Sequence, residues 1–159
     1  MKITQFYKSS VSLAVSVILA SAMASPTWAA SVVTNAALEH ATIGFATQDG
    51  GTTGGAKASS KNIYLVSNIS EFENALANNE GSPRIIQIKG IIDVSGGKAY
   101  SDFNDQKKRS QLYVPSDTTI IGVNGNSGFK NGSLVVSHVE NVIIRNLNLE
   151  NTSGCCASF

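Results

Sequence analysis

After Pro83 the chain becomes a succession of short β-branched runs, RIIQIKGIIDV, LYVPSDTTIIGV, SLVVS and NVIIRNLNLE, each bounded by Gly, Asn, Asp or Ser. Runs of this kind are strands, and their shortness leaves little room for anything but β structure. Ile120 and Ile144 stand 24 residues apart with the Leu134–Val136 run between them. One circuit of that size therefore holds more than one strand, which is the period of a solenoid. The last run ends in Asn146-Leu147-Asn148-Leu149, where the leucines can point inward while the asparagines face out or stack in ladders. The pattern predicts an all-β chain coiled as a parallel β-helix. An antiparallel sandwich is the alternative, though only Asn131-Gly132 offers a hairpin dipeptide between strands.

One helix stands out, in SEFENALANNEG. Ser70 followed by Glu73 forms a capping box, and Glu71 falls in the positive first turn. Phe72, Ala75 and Leu76 share one face, a narrow apolar stripe suited to covering the open end of a sheet. Asn78, Asn79 and Gly81 end the helix. Residues 41–60, ATIGFATQDGGTTGGAKASS, show neither a helical nor a strand period and read as a loop packed along the surface. They contain neither GxGxxG nor GxxxxGK followed by Ser or Thr, so no phosphate cradle is expected there.

Residues 1–29 read as an export signal. Lys2 and Lys8 are followed by an uncharged stretch from Val11 to Ala24, too short to cross a bilayer, and Thr27 and Ala29 supply the small residues before a cleavage site. The coiled domain is expected over residues 30–150. With 42% hydrophobic and 14% charged residues the chain is not disordered. Its net charge of +1 falls to −1 once Lys2 and Lys8 are removed, so no nucleic acid partner is expected, nor a membrane one after the signal is lost.

Chemistry-bearing residues are sparse. Cys155 and Cys156 are adjacent, with Cα atoms about 3.8 Å apart, too close for an unstrained disulfide. His40 and His138 are isolated, so no CxxC-type metal set can form, and no Ser/His/Asp arrangement exists. Asp93, Asp117 and Glu140 are scattered and make no calcium-binding pair. Lys107-Lys108-Arg109, in a polar stretch with Asp102 and Asp105, reads as solvated loop charge, with contact to a polyanionic sugar chain as the sharper alternative.

GFATQDGGTTGGA, PRIIQIKGIIDVS and the segment from Asp105 to Glu150, containing TTIIG, NGSL and NVIIRNL in that order, together with the Phe72 helix, resemble the amino-terminal part of secreted bacterial pectate lyases over residues 44–151. The resemblance implies a right-handed parallel β-helix and cleavage of de-esterified polygalacturonate by β-elimination. It further implies Ca²⁺ held by carboxylates, an arginine base, a secreted location and a monomer. The family's calcium aspartates and catalytic arginine lie beyond Glu150, so no catalytic, cofactor-binding or metal residue is assigned here. By motif position Arg145 is a structural residue.

Residues 151–159, NTSGCCASF, depart from the family continuation, which is close to N-P-V-D-V-A-P-H-F. With suitable synonymous codons, one base inserted after the codon for Asn151 converts that continuation into the observed tail, so 151–159 is expected to be out of frame and the chain inactive by itself. Two other readings remain: a small secreted β-solenoid that binds plant cell-wall polysaccharide without catalysis, or an adhesin-like fragment. A different β-helix enzyme, a pectin lyase or a hydrolase, shares the fold.

Overall fold

The computed structural model describes residues 35–78 and 81–150. The expected signal at 1–29, the tail at 151–159 with Cys155 and Cys156, and Asn79 lie outside the described residues. The chain enters through α1 (Asn35–Leu38) and a long strap with two single 3₁₀ turns, then forms β1 (Ile63–Val66) and α2 (Ile69–Ala77). There follow β2 (Arg84–Ile88), β3 (Ile91–Asp93), α3 (Phe103–Ser110) and β4 (Gln111–Tyr113). The second circuit is β5 (Thr118–Gly122), β6 (Gly128–Lys130) and β7 (Ser133–Val135), and the third begins with β8 (Val142–Arg145) and β9 (Asn148–Glu150).

Every strand pairing is parallel, in three sheets ordered β1-β2-β5-β8, β3-β6-β9 and β4-β7. Consecutive strands of the chain thus lie in different sheets, and each pairs with its equivalent one circuit later. This is a parallel β-helix, and the antiparallel alternative is excluded among the described residues. Ile120 lies opposite Ile144, as the 24-residue spacing requires.

Register stacks like on like in the interior. Tyr64, Ile86, Ile120 and Ile144 form one column, Ile92, Phe129 and Leu149 a second, and Leu112 and Leu134 a third. Phe72 of α2 enters this core and meets Phe129 edge-on, with ring centroids 4.8 Å apart. Leu149 continues its column yet is 60% exposed, because β9 is the last strand of its sheet among the described residues. Asn146 and Asn148 do ladder onto the circuit below, donating to the carbonyls of Gly122 at 2.7 Å and Gly125 at 3.2 Å.

Three expectations change. The helix cap is Asn68, whose Oδ1 accepts from the Glu71 amide at 3.0 Å, while Glu71 Oε2 accepts from the Ser67 amide at 2.8 Å. The capping box therefore sits two residues before Ser70 and Glu73, because the helix already starts at Ile69. That helix ends at Ala77, with the Asn78 amide donating to the Asn74 carbonyl. Second, Lys107-Lys108-Arg109 is helical: Asp102 caps α3 by accepting from the amides of Asn104 at 2.8 Å and Asp105 at 3.0 Å. The helix lacks an apolar stripe, so periodicity could not reveal it. Third, residues 41–60 are only partly superficial, since Gly54 and Gly55 are buried against the outer face of the first sheet.

The strap explains why β2 and β5 are buried at every position. Their odd-numbered residues face outward, where Ala37 covers Ile85 and Ile121. A strand covered on both faces reads as a continuous apolar run, as RIIQI does.

Candidate functional site

The charged residues singled out in the sequence between Asp93 and Arg145 each have a definite place. Asp93, on the outward face of β3, has Oδ1 accepting from the Ser95 amide at 3.0 Å, the Ser95 hydroxyl at 2.7 Å and Asn131 Nδ2 at 3.0 Å. Its Oδ2 lies 3.6 Å from Lys130 Nζ. Partial burial pushes the Asp93 carboxyl up, but the hydrogen bonds and Lys130 outweigh it and hold the pKa below the ordinary range. Asp117 accepts from Asn141 Nδ2, and Glu140 is exposed. Arg145 Nη1 pairs with Glu39 Oε2 at 3.0 Å and Nη2 donates to the Glu39 carbonyl at 2.8 Å, tying β8 to the strap. In this position the Arg145 guanidinium links the third circuit to the segment that precedes the first strand. His40 and His138 are exposed, and His138 Nδ1 lies 2.9 Å from the neighbouring Ser137 hydroxyl. Among the described residues no group of three or more His, Cys, Asp or Glu side chains comes together that could hold a metal ion.

The basic triplet is divided by the helix. Arg109 turns back one turn to Asp105, with Nε to Oδ1 at 2.7 Å and Nη2 to Oδ2 at 2.8 Å. It also donates to the carbonyls of Ser95 and Ala99, and its guanidinium lies 4.5 Å from the Tyr100 ring centroid. The bidentate bond from Arg109 holds the Asp105 carboxyl far below the usual carboxylate range. Arg109 therefore anchors the loop 95–100 and presents no free charge. Lys107 and Lys108 remain exposed, with no carboxylate in ion-pair distance among the described residues.

Lys107 looks onto the outward face of the β4-β7 sheet. The register sets Gln111 beside Ser133 and Tyr113 beside Val135, with Leu112 and Leu134 pointing inward. Tyr113 is 64% exposed, and its hydroxyl donates to Gln111 Oε1 at 2.9 Å. At one end of this face Phe103, Lys107, Gln111 and Ser133 line a groove of about 290 Å³. At the other, Tyr113, Pro115, Val135 and Ser137 line a shallower one of about 430 Å³. Sequence reasoning singled out Lys107 but missed Tyr113 and the helix that carries Lys107, because Tyr113 lies in a run that reads simply as a strand and α3 gave no helical signal.

Comparison with known proteins agrees with the architecture. A family profile described as pectate lyase matches residues 11–154. Pectate lyase E of Dickeya chrysanthemi is 58% identical over 134 residues, covering 84% of this chain and 33% of the relative. Pectate lyase D of the same organism is 54% identical over 147 residues, covering 91% of this chain and 37% of the relative. The chain thus spans about a third of the length of these curated relatives. The structure of a thermostable pectate lyase, PL 47, superposes with a TM-score of 0.67 at 29% identity, covering 73% of this chain and 40% of the other. The fold is therefore the right-handed parallel β-helix of these enzymes, and α2 stands as its short capping helix. The stacked circuits, their register and a profile match over most of the sequence agree, and the chain belongs to the pectate lyase family.

Proposed function

We propose that the whole protein to which this chain corresponds is a secreted pectate lyase, a polysaccharide lyase cleaving de-esterified polygalacturonate by Ca²⁺-dependent β-elimination. The family match over residues 11–154, with 58% identity to a Dickeya pectate lyase, carries the reading. This chain contributes the first circuits of the solenoid and the helix that closes its end, and residues 1–29 act as its export signal. It does not turn over substrate by itself. The described carboxylates do not fit a calcium site: Asp93 is saturated by Ser95, Asn131 and Lys130, and Asp117 is held by Asn141. No step is assigned to the ion here. In the whole protein it would supply the acidity at C5 that β-elimination needs.

The test is release of unsaturated, ultraviolet-absorbing product from polygalacturonate. The chain alone is expected to release none. Co-expression with the remaining two-thirds of a Dickeya relative is expected to release product and to lose it on chelation. Chelator-insensitive cleavage by the chain alone would overturn the reading. Pectate binding with no product from either preparation would bring the binding-module alternative forward. The out-of-frame reading of 151–159 is tested by translating the gene past Asn151 in all three frames, where a lyase-like frame is expected to resume.

A further inference from the structure

Asn-Gly occurs twice in the sequence, at 124–125 and 131–132, and the fold gives the two pairs opposite surroundings. Asn124 and Gly125 lie in the turn from β5 to β6, where both are exposed and a Cβ added at Gly125 would meet nothing within 4 Å. Asn124 Oδ1 accepts from the Asn126 amide at 3.1 Å and from the Ser127 hydroxyl at 2.8 Å. A side-chain oxygen held by the residue two places on folds the carboxamide back over the intervening Gly125 peptide. The same two donors draw electrons from Cγ, as donors do at a carbonyl about to be attacked. Ser127 is only 1% exposed, so water does not compete for its hydroxyl. Asn131 is clamped instead. Its Nδ2 donates to Asp93 Oδ1 at 3.0 Å, its carbonyl accepts from the Tyr100 hydroxyl, and a Cβ at Gly132 would stand 2.5 Å from Val94. The side-chain amide is thus tethered at Asn131 and the next peptide has no room to shift, whereas at Asn124 neither constraint exists among the described residues.

We propose that Asn124 is a site of spontaneous covalent modification, converted to aspartate and isoaspartate through a succinimide, while the fold spares Asn131. The Gly125 nitrogen attacks Asn124 Cγ, and a new N–C bond forms as the Cγ–Nδ2 bond breaks. Nδ2 leaves as ammonia, taking up the proton lost by the Gly125 amide. Water, the one co-reactant, then adds to either carbonyl of the ring. Opening at Cγ gives aspartate, and opening at the backbone carbonyl gives isoaspartate, with an extra methylene in the main chain. No oxidant or reductant enters. The position matters to the solenoid because Asn148 Nδ2 donates to the Gly125 carbonyl at 3.2 Å, a rung between the second and third circuits. An isoaspartate one residue earlier displaces that carbonyl and loosens the third circuit on the second.

The experiment is timed incubation of the full chain in mildly alkaline buffer, with and without urea, followed by trypsin digestion and mass spectrometry. Cleavage after Arg109 and Lys130 puts the two pairs in separate peptides, 110–130 and 131–145. The gain in mass on exchange of amide for acid, located by fragmentation, measures the rate at each site. In buffer Asn124 is expected to convert at least about tenfold faster than Asn131, and in urea the two rates are expected to converge, because the dipeptide is the same. Ser127→Ala is expected to slow conversion of Asn124 about fivefold, and Asp93→Ala to speed that of Asn131 by a similar factor. Far-ultraviolet circular dichroism on each protein reports folding. Amide exchange in β9 is expected to be faster in the isoaspartate fraction, and unchanged exchange there would overturn the loosening of the third circuit. Equal rates at the two sites in buffer, or no conversion at Asn124, would overturn the proposal. A difference that persists in urea would overturn it as well, since the fold would then not set the rates. An unchanged Asn124 rate in folded Ser127→Ala would overturn the part assigned to that hydroxyl.

Discussion

At the residue scale, Asn141 carries an unusual share of the fold. Its backbone is left-handed, with φ of 57°, and its Oδ1 accepts from the amides of Thr53 and Gly54, both at 2.7 Å. One amide thus ties the third circuit to a strap 87 and 88 residues earlier. Asn141→Ala loses these bonds and meets the left-handed backbone cost, so it is expected to destabilise by about 2–4 kcal/mol. Asn141→Gly keeps the backbone and loses only the bonds, so urea midpoints of the two variants separate the contributions. Gly55 is required for a different reason. A Cβ built there would stand 1.8 Å from the Arg84 carbonyl oxygen, so Gly55→Ala is expected to lift the strap off β2 and expose its amides to hydrogen exchange. Asp105 gives a pH prediction. Its folded pKa is depressed by Arg109, so the contact stabilises fully above the ordinary carboxylate range and is lost as pH falls below that range towards the folded value. Protection of the α3 amides is expected to fall progressively once the pH drops below the ordinary carboxylate range, and Asp105→Asn to remove that acid dependence.

At the element scale, α2 closes the solenoid because two unrelated residues serve it. Phe72 plugs the interior against Phe129, and the fully buried Arg84 donates from Nη1 to the carbonyls of Ala75, at 3.1 Å, and Leu76 at the helix end. A cation on the last carbonyls opposes the negative pole of the helix, which helps to explain how a guanidinium is tolerated inside a β-helix. Phe72→Ala is expected to cost about 3–5 kcal/mol, read as a shift in the unfolding midpoint. In α3 the cap is the critical residue: the helix has no apolar stripe, so Asp102→Ala is expected to cost about 1 kcal/mol locally and to loosen the loop held by Arg109.

At the scale of the whole molecule, the circuits depend on their neighbours, and the third has no later one among the described residues. Ile144 is 37% exposed and Leu149 60% exposed at its open side, beside the free edges of β8 and β9. Apolar columns ending on open strand edges favour association. The chain is expected to self-associate in light scattering, and Leu149→Lys to reduce that association without loss of sheet signal. A wild-type chain that stays monomeric and unfolds in one cooperative step would contradict this expectation.

The sequence by itself determined the repeating unit. β-Branched runs separated by turn residues, and the spacing of Ile120 and Ile144, specify strands and their circuit, because an interior column needs like residues at equal intervals. The Phe72 stripe likewise announced a helix closing the core. The position of its cap was less legible, since Asn68, Ser70 and Glu73 offer competing capping signals and only packing sets where the first turn begins. What tertiary structure alone decided was which residues outside the strands meet. The polar helix α3, the strap held by Asn141 and the division of Lys107 from Arg109 arise from contacts that no local period records. The exposed face carrying Tyr113 and Lys107 exists for the same reason: coiling brings together segments whose side chains carry no sign of one another along the chain.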